Sequence, residues 1–492
     1  MPNPPSLDLL DRLRALLGPK GFTAEAEAME PWLVDWRGRY RGSAAAMLSP
    51  GTSAEAAAIV RLCADEGVAL VPQGGNTSMV AGATPDSSGA SLLLSLRRLN
   101  RIREVDPAAN VAVCEAGVIL ADLHAAAAAA NRRFPLSLGA KGSATIGGLV
   151  STNAGGTQVL RFGTMRGLVL GIEAVLPDGS IHSALAPLRK DNRGYDLKQL
   201  LIGAEGTLGI VTAATLKLVP AIGARAVAWA GLDSPDEALR LLRAIETRLG
   251  DSVESFEIVP QSSLDLVLAH IAGTRPPLAE AHRWHALIEA TAPEGAPEPP
   301  LAEALAAAIE AGLVRDAAIA ASEAQADSLW RLRDAISEAE RKDGPAAKHD
   351  VSVEVATMPA FMVEAAAAVE TRFAGTRVNA FGHLGDGNIH FNVRAPDAAG
   401  AEWLADSAPT VTAFVHDLVA AAGGSISAEH GIGQMKLAEL SRLGEPARLS
   451  AMRAIKAALD PAGIMNPGKL VPPPVPPVDK AQGSLAENDF RP

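Results

Sequence analysis

The sequence predicts a globular protein of two or three domains built from both helices and strands, and three observations carry that prediction. At 492 residues the chain is too long for one ordinary core. Its 48% hydrophobic and 20% charged content is that of a soluble globular protein. Strand-like and helix-like stretches alternate, yet no segment carries Gly-x-Gly-x-x-Gly between a strand and a helix, and no Walker lysine motif appears. A nucleotide bound here is therefore not held in the Rossmann or P-loop manner.

Composition narrows the function classes further. A net charge of −12 without any basic run argues against a nucleic-acid partner. Cys63 and Cys114, at no metal-binding spacing, indicate a reducing compartment rather than a disulfide framework. Met1-Pro-Asn-Pro-Pro lacks the basic and apolar regions of a secretory signal. The alanine-rich run His124–Asn131 is far too short to span a bilayer. A cytoplasmic protein without a membrane span is expected.

In chain order, residues 6–30 have helical spacing, and the polar run Asp35–Gly42 reads as a loop. Ser53–Glu66 is a helix with Ser53 as N-cap. Val68–Val71 is a strand that runs into Pro72-Gln-Gly-Gly-Asn-Thr-Ser78, a loop suited to presenting backbone N–H groups to an anion. Leu92–Leu96, Ile102–Asp106 and Val111–Glu115 are strands, and Val118–Ala130 is a helix. Gly139–Thr157 holds six glycines among serines and threonines, which permits close backbone approach to a ligand. The strand Val169–Leu176 follows, and Gly203–Thr212 closes the region. Beyond it come the strand Ala226–Leu232, a helix over Pro235–Leu249, and helices over Leu301–Ala311 and Gln325–Arg341. Val471–Pro492 is proline-rich and then polar, and reads as an extended tail.

Asn379–Asn392 brings two of the ten histidines together around a turn. Asp386-Gly387 is a type I′ hairpin signal. A two-residue turn there pairs Gly385 with Asn388, Leu384 with Ile389, and His383 with His390, and puts Asn392 on the same face. Alone, the pair reads equally well as two structural histidines. Ser427-Ala-Glu-His-Gly-Ile-Gly433 adds a carboxylate, Glu429, and a third imidazole, His430. Two histidines and one carboxylate form a catalytic metal-site pattern.

Three motifs then carry a resemblance. The Pro-x-Gly-Gly loop, the Ala-Thr-Ile-Gly-Gly-x-x-x-x-Asn-Ala-Gly-Gly run and the Gly-x-x-Gly-Thr-Leu-Gly-Ile-Val-Thr run resemble those of the vanillyl-alcohol oxidase and p-cresol methylhydroxylase superfamily. The similarity covers nearly the whole chain and is strongest to its FAD-dependent D-2-hydroxyacid dehydrogenases of the D-2-hydroxyglutarate, D-lactate and glycolate types. The resemblance implies an α+β fold, with an N-terminal helical segment at 1–38 and a two-subdomain FAD-binding domain of the vanillyl-alcohol oxidase type at 39–221. A cap domain with an antiparallel sheet flanked by helices follows at 222–425, and a segment returning to the flavin at 426–470.

It also implies roles. FAD is expected against Pro72, Gly74, Gly75, Asn76, Thr77 and Ser78. The second run would contribute Gly139, Thr145, Gly147, Gly148, Ser151, Asn153, Gly155 and Gly156, and the third Glu205, Gly206, Gly209 and Ile210. Asn466 of Asn-Pro-Gly-Lys469 is expected to close on the flavin. Members that attach FAD covalently often use a histidine in the first loop; none is present, so non-covalent FAD is expected. A divalent metal on His383, His390 and Glu429 (zinc first, with manganese and iron also compatible) would chelate the hydroxyl and carboxylate, with His430 as base. Arg333 of Trp-x-x-Arg, Ser337 on the same predicted helix face, and Lys348 would hold substrate carboxylates, with Asn392 reaching in from the histidine face. Ser337 departs from the threonine usual there. The implied reaction oxidises a D-2-hydroxy acid such as D-2-hydroxyglutarate, D-lactate or D-malate, with electrons passing to an external acceptor such as an electron-transfer flavoprotein. A homodimer is expected. An oxygen-using oxidase and a flavoprotein subunit of a multisubunit glycolate oxidase are the alternatives.

Overall fold

The computed structural model describes residues 3–188, 190–397 and 399–474. The expectation of an extended tail over 475–492 lies outside them. The architecture is α+β, with a four-stranded, a five-stranded and a two-stranded sheet (Arg132–Arg133 with Val219–Pro220) in the N-terminal half and one large sheet in the C-terminal half.

The first small sheet runs Phe22–Thr23, Met47–Leu48, Leu92–Ser95, Leu70–Gln73, and its last three strands are parallel. The helix Ser53–Glu66 packs on it through Ile59, Val60 and Cys63. Its N-cap is Thr52, whose hydroxyl accepts from Glu55 N at 3.1 Å, one residue earlier than expected. The second sheet is wholly antiparallel, in the order Ile102–Asp106, Val111–Glu115, Ile210–Lys217, Val169–Val175, Ile181–Ala184. Cys63 and Cys114 are buried and unpaired.

The C-terminal half is organised around a seven-stranded sheet. Its order is Asp316–Ile319, Ile222–Leu232, Trp284–Pro293, Val253–Pro260, Arg377–His383, Asn388–Arg394, Ala346–Ser352, and every pairing is antiparallel. One face carries Phe256, Ile258, Ile389 and Phe391 and is covered by Pro235–Leu249, Leu301–Glu310, Met358–Arg372 and Ala408–Ala421. Truncating one of the fully buried residues there, such as Leu241 or Ile245, would cost about 2–5 kcal/mol. Alternation sends the neighbouring residues Glu257, His383, His390, Asn392 and Asp350 to the opposite face. That face is the site.

Three contacts bring the halves together over it. Glu254 receives Arg133 at 2.5 Å and Arg161 at 3.2 Å. Ser255 donates to Thr157 O at 2.5 Å. Glu205 accepts from the backbone N–H groups of Ile432 and Gly433, both at 2.7 Å.

Two expectations fail locally. The helix expected over Gln325–Arg341 is divided at Ala335 into Glu323–Asp334 and Ile336–Asp343. Ser337 therefore does not share a continuous helix face with Arg333, and it is exposed whereas Arg333 is buried. The hairpin loop has four residues rather than two. Only Gly387 takes a positive φ, of 80°, while Asp386 uses its carboxylate to accept from Asn388 N at 2.9 Å. A type I′ turn needs positive φ at both central positions, and Asp386 does not supply it. Consequently His383 pairs with Asn388, Gly382 with Ile389, and Phe381 with His390. The slip amounts to two residues, so every side chain keeps its face.

Candidate active site

The flavin side is built from backbone. A Cβ added at Gly75 would lie 1.9 Å from Ser143 O, and one at Gly74 would lie 2.1 Å from Thr145 Oγ1, so these loops meet too closely for any side chain. Gly155 stands beside the metal candidate, where its Cβ would sit 3.3 Å from Glu429 Oε1. The Thr145 hydroxyl and the Asn466 amide oxygen are buried without a partner, as expected of atoms that face a bound group. Together the close-packed glycines and these orphaned atoms fit a cofactor cradle.

Several residues expected at the cofactor have other occupations. The Asn76 amide donates to Pro31 O and Val34 O at 3.2 and 2.9 Å, so Asn76 can offer a cofactor only its backbone. Glu205 ties down the loop after His430, and Ile210 is buried in its sheet. Asn153 caps the helix Ile146–Thr152 with a φ of 51° and accepts from Arg166 N at 2.9 Å. Ser151 O accepts from Glu205 N at 2.8 Å. Ser78 Oγ accepts from Gly82 N at 3.0 Å. Asn466 donates to Gly82 O and Glu205 O.

The cap side is built from side chains. His383 and His390 are diagonal neighbours with ring centroids 5.5 Å apart. A backbone pair between Ser352 and Ser425, at 3.0 and 2.8 Å, extends the sheet edge and carries residues 426–433 over the histidine face. There Glu429 joins them, and one ligand atom from each of His383, His390 and Glu429 lies within 4.8 Å of the others.

Behind His383 stands Glu257, which spacing alone did not point to. Its Oε1 is 2.6 Å from His383 Nδ1, and its Oε2 accepts from Arg333 Nε at 2.8 Å. Arg333 Nη2 also reaches His383 Nε2, at 3.3 Å. A guanidinium only donates, so Nε2 carries the lone pair and Nδ1 the proton. A carboxylate behind a histidine is the arrangement that orients a metal-ligating ring. Burial pushes the Glu257 carboxyl up, but Arg333 and His383 outweigh it and hold it at about 2.

The charges around the trio favour a cation. Burial, and then the nearby carboxylates of Asp350 and Asp386, push Glu429 up to about 7 against the pull of His383. Burial and Arg333 hold His390 far below the ordinary imidazole range, so its ring is neutral. Asp350 is a second unforeseen residue. It accepts from the backbone N–H groups of Glu429 and His430 at 2.9 and 3.0 Å, and lies 3.4 Å from His430 Nδ1. Burial lowers His430 to about 4 although Asp350 opposes it, which leaves the imidazole neutral at physiological pH.

Asn392 is on the histidine face, but its amide donates to Glu340 at 2.8 and 3.0 Å instead of reaching the trio. Glu340, likewise unforeseen, also holds Asn379 at 2.8 Å and Lys348 at 3.1 Å. Lys436 donates to Ile426 O at 2.8 Å. An acid within the apolar run Ser255-Phe-Glu-Ile-Val259 was the available signal for Glu257; Glu340 is buried, but in the sequence its helical spacing marks it off from no exposed acid.

Comparison with known proteins agrees with this geometry. Residues 44–184 match the FAD binding domain model, and residues 223–470 match the C-terminal domain of FAD linked oxidases. The mitochondrial D-2-hydroxyglutarate dehydrogenase of Arabidopsis thaliana is 38% identical over 95% of this chain and 82% of its own. The D-2-hydroxyglutarate dehydrogenase of Xanthomonas citri is 37% identical over 91% of this chain and 93% of its own. Among solved structures, p-cresol methylhydroxylase with substrate bound superposes with a TM-score of 0.69 at 16% identity, over 94% of this chain and 96% of that one, which shows the shared fold. The chain thus belongs to the D-2-hydroxyglutarate dehydrogenase family of FAD-dependent oxidoreductases, with the p-cresol methylhydroxylase type of flavin-binding fold.

Proposed function

We propose that this protein oxidises a D-2-hydroxy acid, D-2-hydroxyglutarate foremost, to the 2-oxo acid, with non-covalent FAD and a divalent metal on His383, His390 and Glu429. The observation that carries the reading is the convergence of that trio beside Gly155, with Glu257 behind one ligand and a neutral His430 alongside. Bound FAD supplies the hydride acceptor, and the metal, with zinc the first choice, supplies a Lewis acid for the hydroxyl and carboxylate oxygens. The protein does the rest.

Glu257 fixes the His383 tautomer and, with it, the face that Nε2 presents. Asp350 holds the Glu429-His430 backbone and faces His430 Nδ1, which leaves Nε2 to accept the hydroxyl proton. Arg333, next to His383, supplies positive charge at the carboxylate end. Lys348 has a donor left beyond Glu340 and the Ser337 carbonyl. D-lactate and D-malate are the further substrates to examine. An external electron acceptor such as an electron-transfer flavoprotein, a homodimer and a cytoplasmic location belong to the same proposal. No helix among the described residues is long and apolar enough to cross a membrane.

Anaerobic titration of the FAD-loaded protein with D-2-hydroxyglutarate, D-lactate and D-malate tests it. Bleaching of the flavin by D-2-hydroxyglutarate at the lowest concentration is expected, with slow reoxidation by oxygen. Absence of bleaching by any D-2-hydroxy acid would refute the activity. Rapid reoxidation with peroxide formation would make the protein an oxidase.

A further inference from the structure

The strip 429–433, which carries Glu429 of the trio and the neutral His430, takes no regular secondary structure. It hangs between two buried carboxylates, one from each half of the molecule. Asp350, on the cap strand Ala346–Ser352, accepts from the backbone N–H groups of Glu429 and His430 at 2.9 and 3.0 Å. Glu205, in the third glycine run of the flavin half, accepts from those of Ile432 and Gly433, both at 2.7 Å. The two pairs of N–H groups on either side of Gly431 are thereby divided between the halves. The same segment has another tie to the flavin half, from the Gln434 amide to Ala81 O and Thr84 O at 2.9 and 3.0 Å, but it lies further from His430.

Glu205 is itself fixed by the cradle. Its N–H donates to Ser151 O at 2.8 Å, and its carbonyl accepts from the Asn466 amide at 2.7 Å. Between these bonds its backbone takes a φ of 50°, a left-handed value rare for a residue with a side chain and held here from both sides. Glycines make the room for its carboxylate: a Cβ at Gly431 would lie 2.7 Å from Oε1, and one at Gly82 3.3 Å from Oε2. A carboxylate only accepts, so it takes two N–H groups at once, which an amide in its place cannot do.

We propose that Glu205 is a positioning residue for substrate oxidation: its carboxylate sets how far Glu429 and His430 stand from the flavin, while Asp350 sets how they stand against His383 and His390. Because this rests on the proposed oxidation of a 2-hydroxy acid, it deepens that reading by dividing the placement of the strip between two residues. Loss of the Glu205 contact leaves the trio assembled on the cap and frees the strip from the cradle beside His430.

The test compares wild type, E205Q and E205D, each loaded with FAD. E205Q keeps the size but turns one acceptor into a donor facing an N–H; E205D keeps the carboxylate on a shorter stem. Anaerobic stopped-flow separates the limiting rate of flavin reduction by D-2-hydroxyglutarate from its apparent dissociation constant. E205Q should lower the rate roughly tenfold to a hundredfold, the scale of a misplacement of about 1 Å, with unchanged dissociation constant, FAD content and metal content. E205D should recover part of the rate. Amide hydrogen exchange in the substrate-free proteins reads the position of the strip without activity: peptides over 427–436 should exchange faster in E205Q, and those over 70–82 and 379–392 as in wild type. Loss of FAD in E205Q would overturn the proposal by making Glu205 part of the cradle, and loss of metal would overturn it by making Glu205 a support of the trio. An unchanged rate, or unchanged exchange over 427–436, would also overturn it. If no D-2-hydroxy acid reduces the wild-type flavin, the reading of the reaction has failed, and exchange still decides the role of Glu205: faster exchange confined to 427–436 supports it and unchanged exchange refutes it.

Discussion

The flavin cradle and the histidine face of the cap sheet meet at Gly155 and Glu429, yet they are made of different material. The cradle is backbone held close to backbone, with Gly74 and Gly75 pressed on residues 143–145. The histidine face is a set of ionised and neutral side chains held by buried partners: Glu257 behind His383, Asp350 beneath Glu429 and His430, and Glu340 beneath Lys348 and Asn392. A backbone site needs residues that step aside, whereas a side-chain site needs a second set of residues to aim the first. The two should therefore fail differently.

The largest effects separate cofactor content from chemistry. Gly75→Val places side-chain carbon onto the Ser143 carbonyl and should yield protein largely without FAD, seen as loss of flavin absorbance per chain. His383→Ala should retain FAD while losing bound metal and at least a thousandfold in the rate of flavin reduction. Loss of FAD in H383A as well would dissolve the distinction. His430→Asn should keep both FAD and metal and slow reduction by roughly 10²- to 10⁴-fold, the range for removing a general base.

A smaller effect probes the supporting layer. Glu257→Gln removes the charge that pairs Arg333 and orients His383. Metal affinity should fall by roughly ten- to a hundredfold, measured by competition with a chromophoric chelator, while the FAD content stays that of wild type. Unchanged metal affinity would make Glu257 a partner of Arg333 alone.

What was legible in the chain follows the same division. Pro72–Ser78 alone reads as an ordinary turn and each glycine run is a weak signal by itself; their combination, through its resemblance to a flavin family, is what pointed to a cofactor cradle. The convergence of His383, His390 and Glu429 was legible because the spacing of the two histidines survives a misjudged turn. Asp386-Gly387 forms a four-residue loop, but a slip of two residues preserves the face. Glu257, Asp350 and Glu340 were missed because each acts on residues brought alongside by sheet pairing or by helix packing; only Glu257 carries a local signal, its place inside an apolar run. Arg333 and Ser337 were placed on one helix face, and the break at Ala335 separates them; a run of good helix formers gives no warning of such a break.

The smallest expected effect concerns the cap alone. His349 is buried, with Nδ1 2.7 Å from Phe391 O and Nε2 3.0 Å from Thr412 Oγ1, and burial lowers it to about 3. Its contribution to stability is complete above the unfolded imidazole value of about 6.5 and is lost as pH falls from there toward 3. The melting temperature should drop over that window, and His349→Gln should flatten the slope. An equal slope in both proteins would place the acid sensitivity elsewhere.

The central claim is that the trio on the cap sheet holds a metal on which substrate oxidation depends while flavin binding does not. The most direct measurement is anaerobic flavin reduction by D-2-hydroxyglutarate before chelation, after dialysis against a strong chelator, and after zinc or manganese is returned, with metal and FAD counted at each stage. The account predicts full FAD throughout, bleaching lost with the metal and restored with it. Undiminished bleaching in protein shown to be metal-free would contradict it.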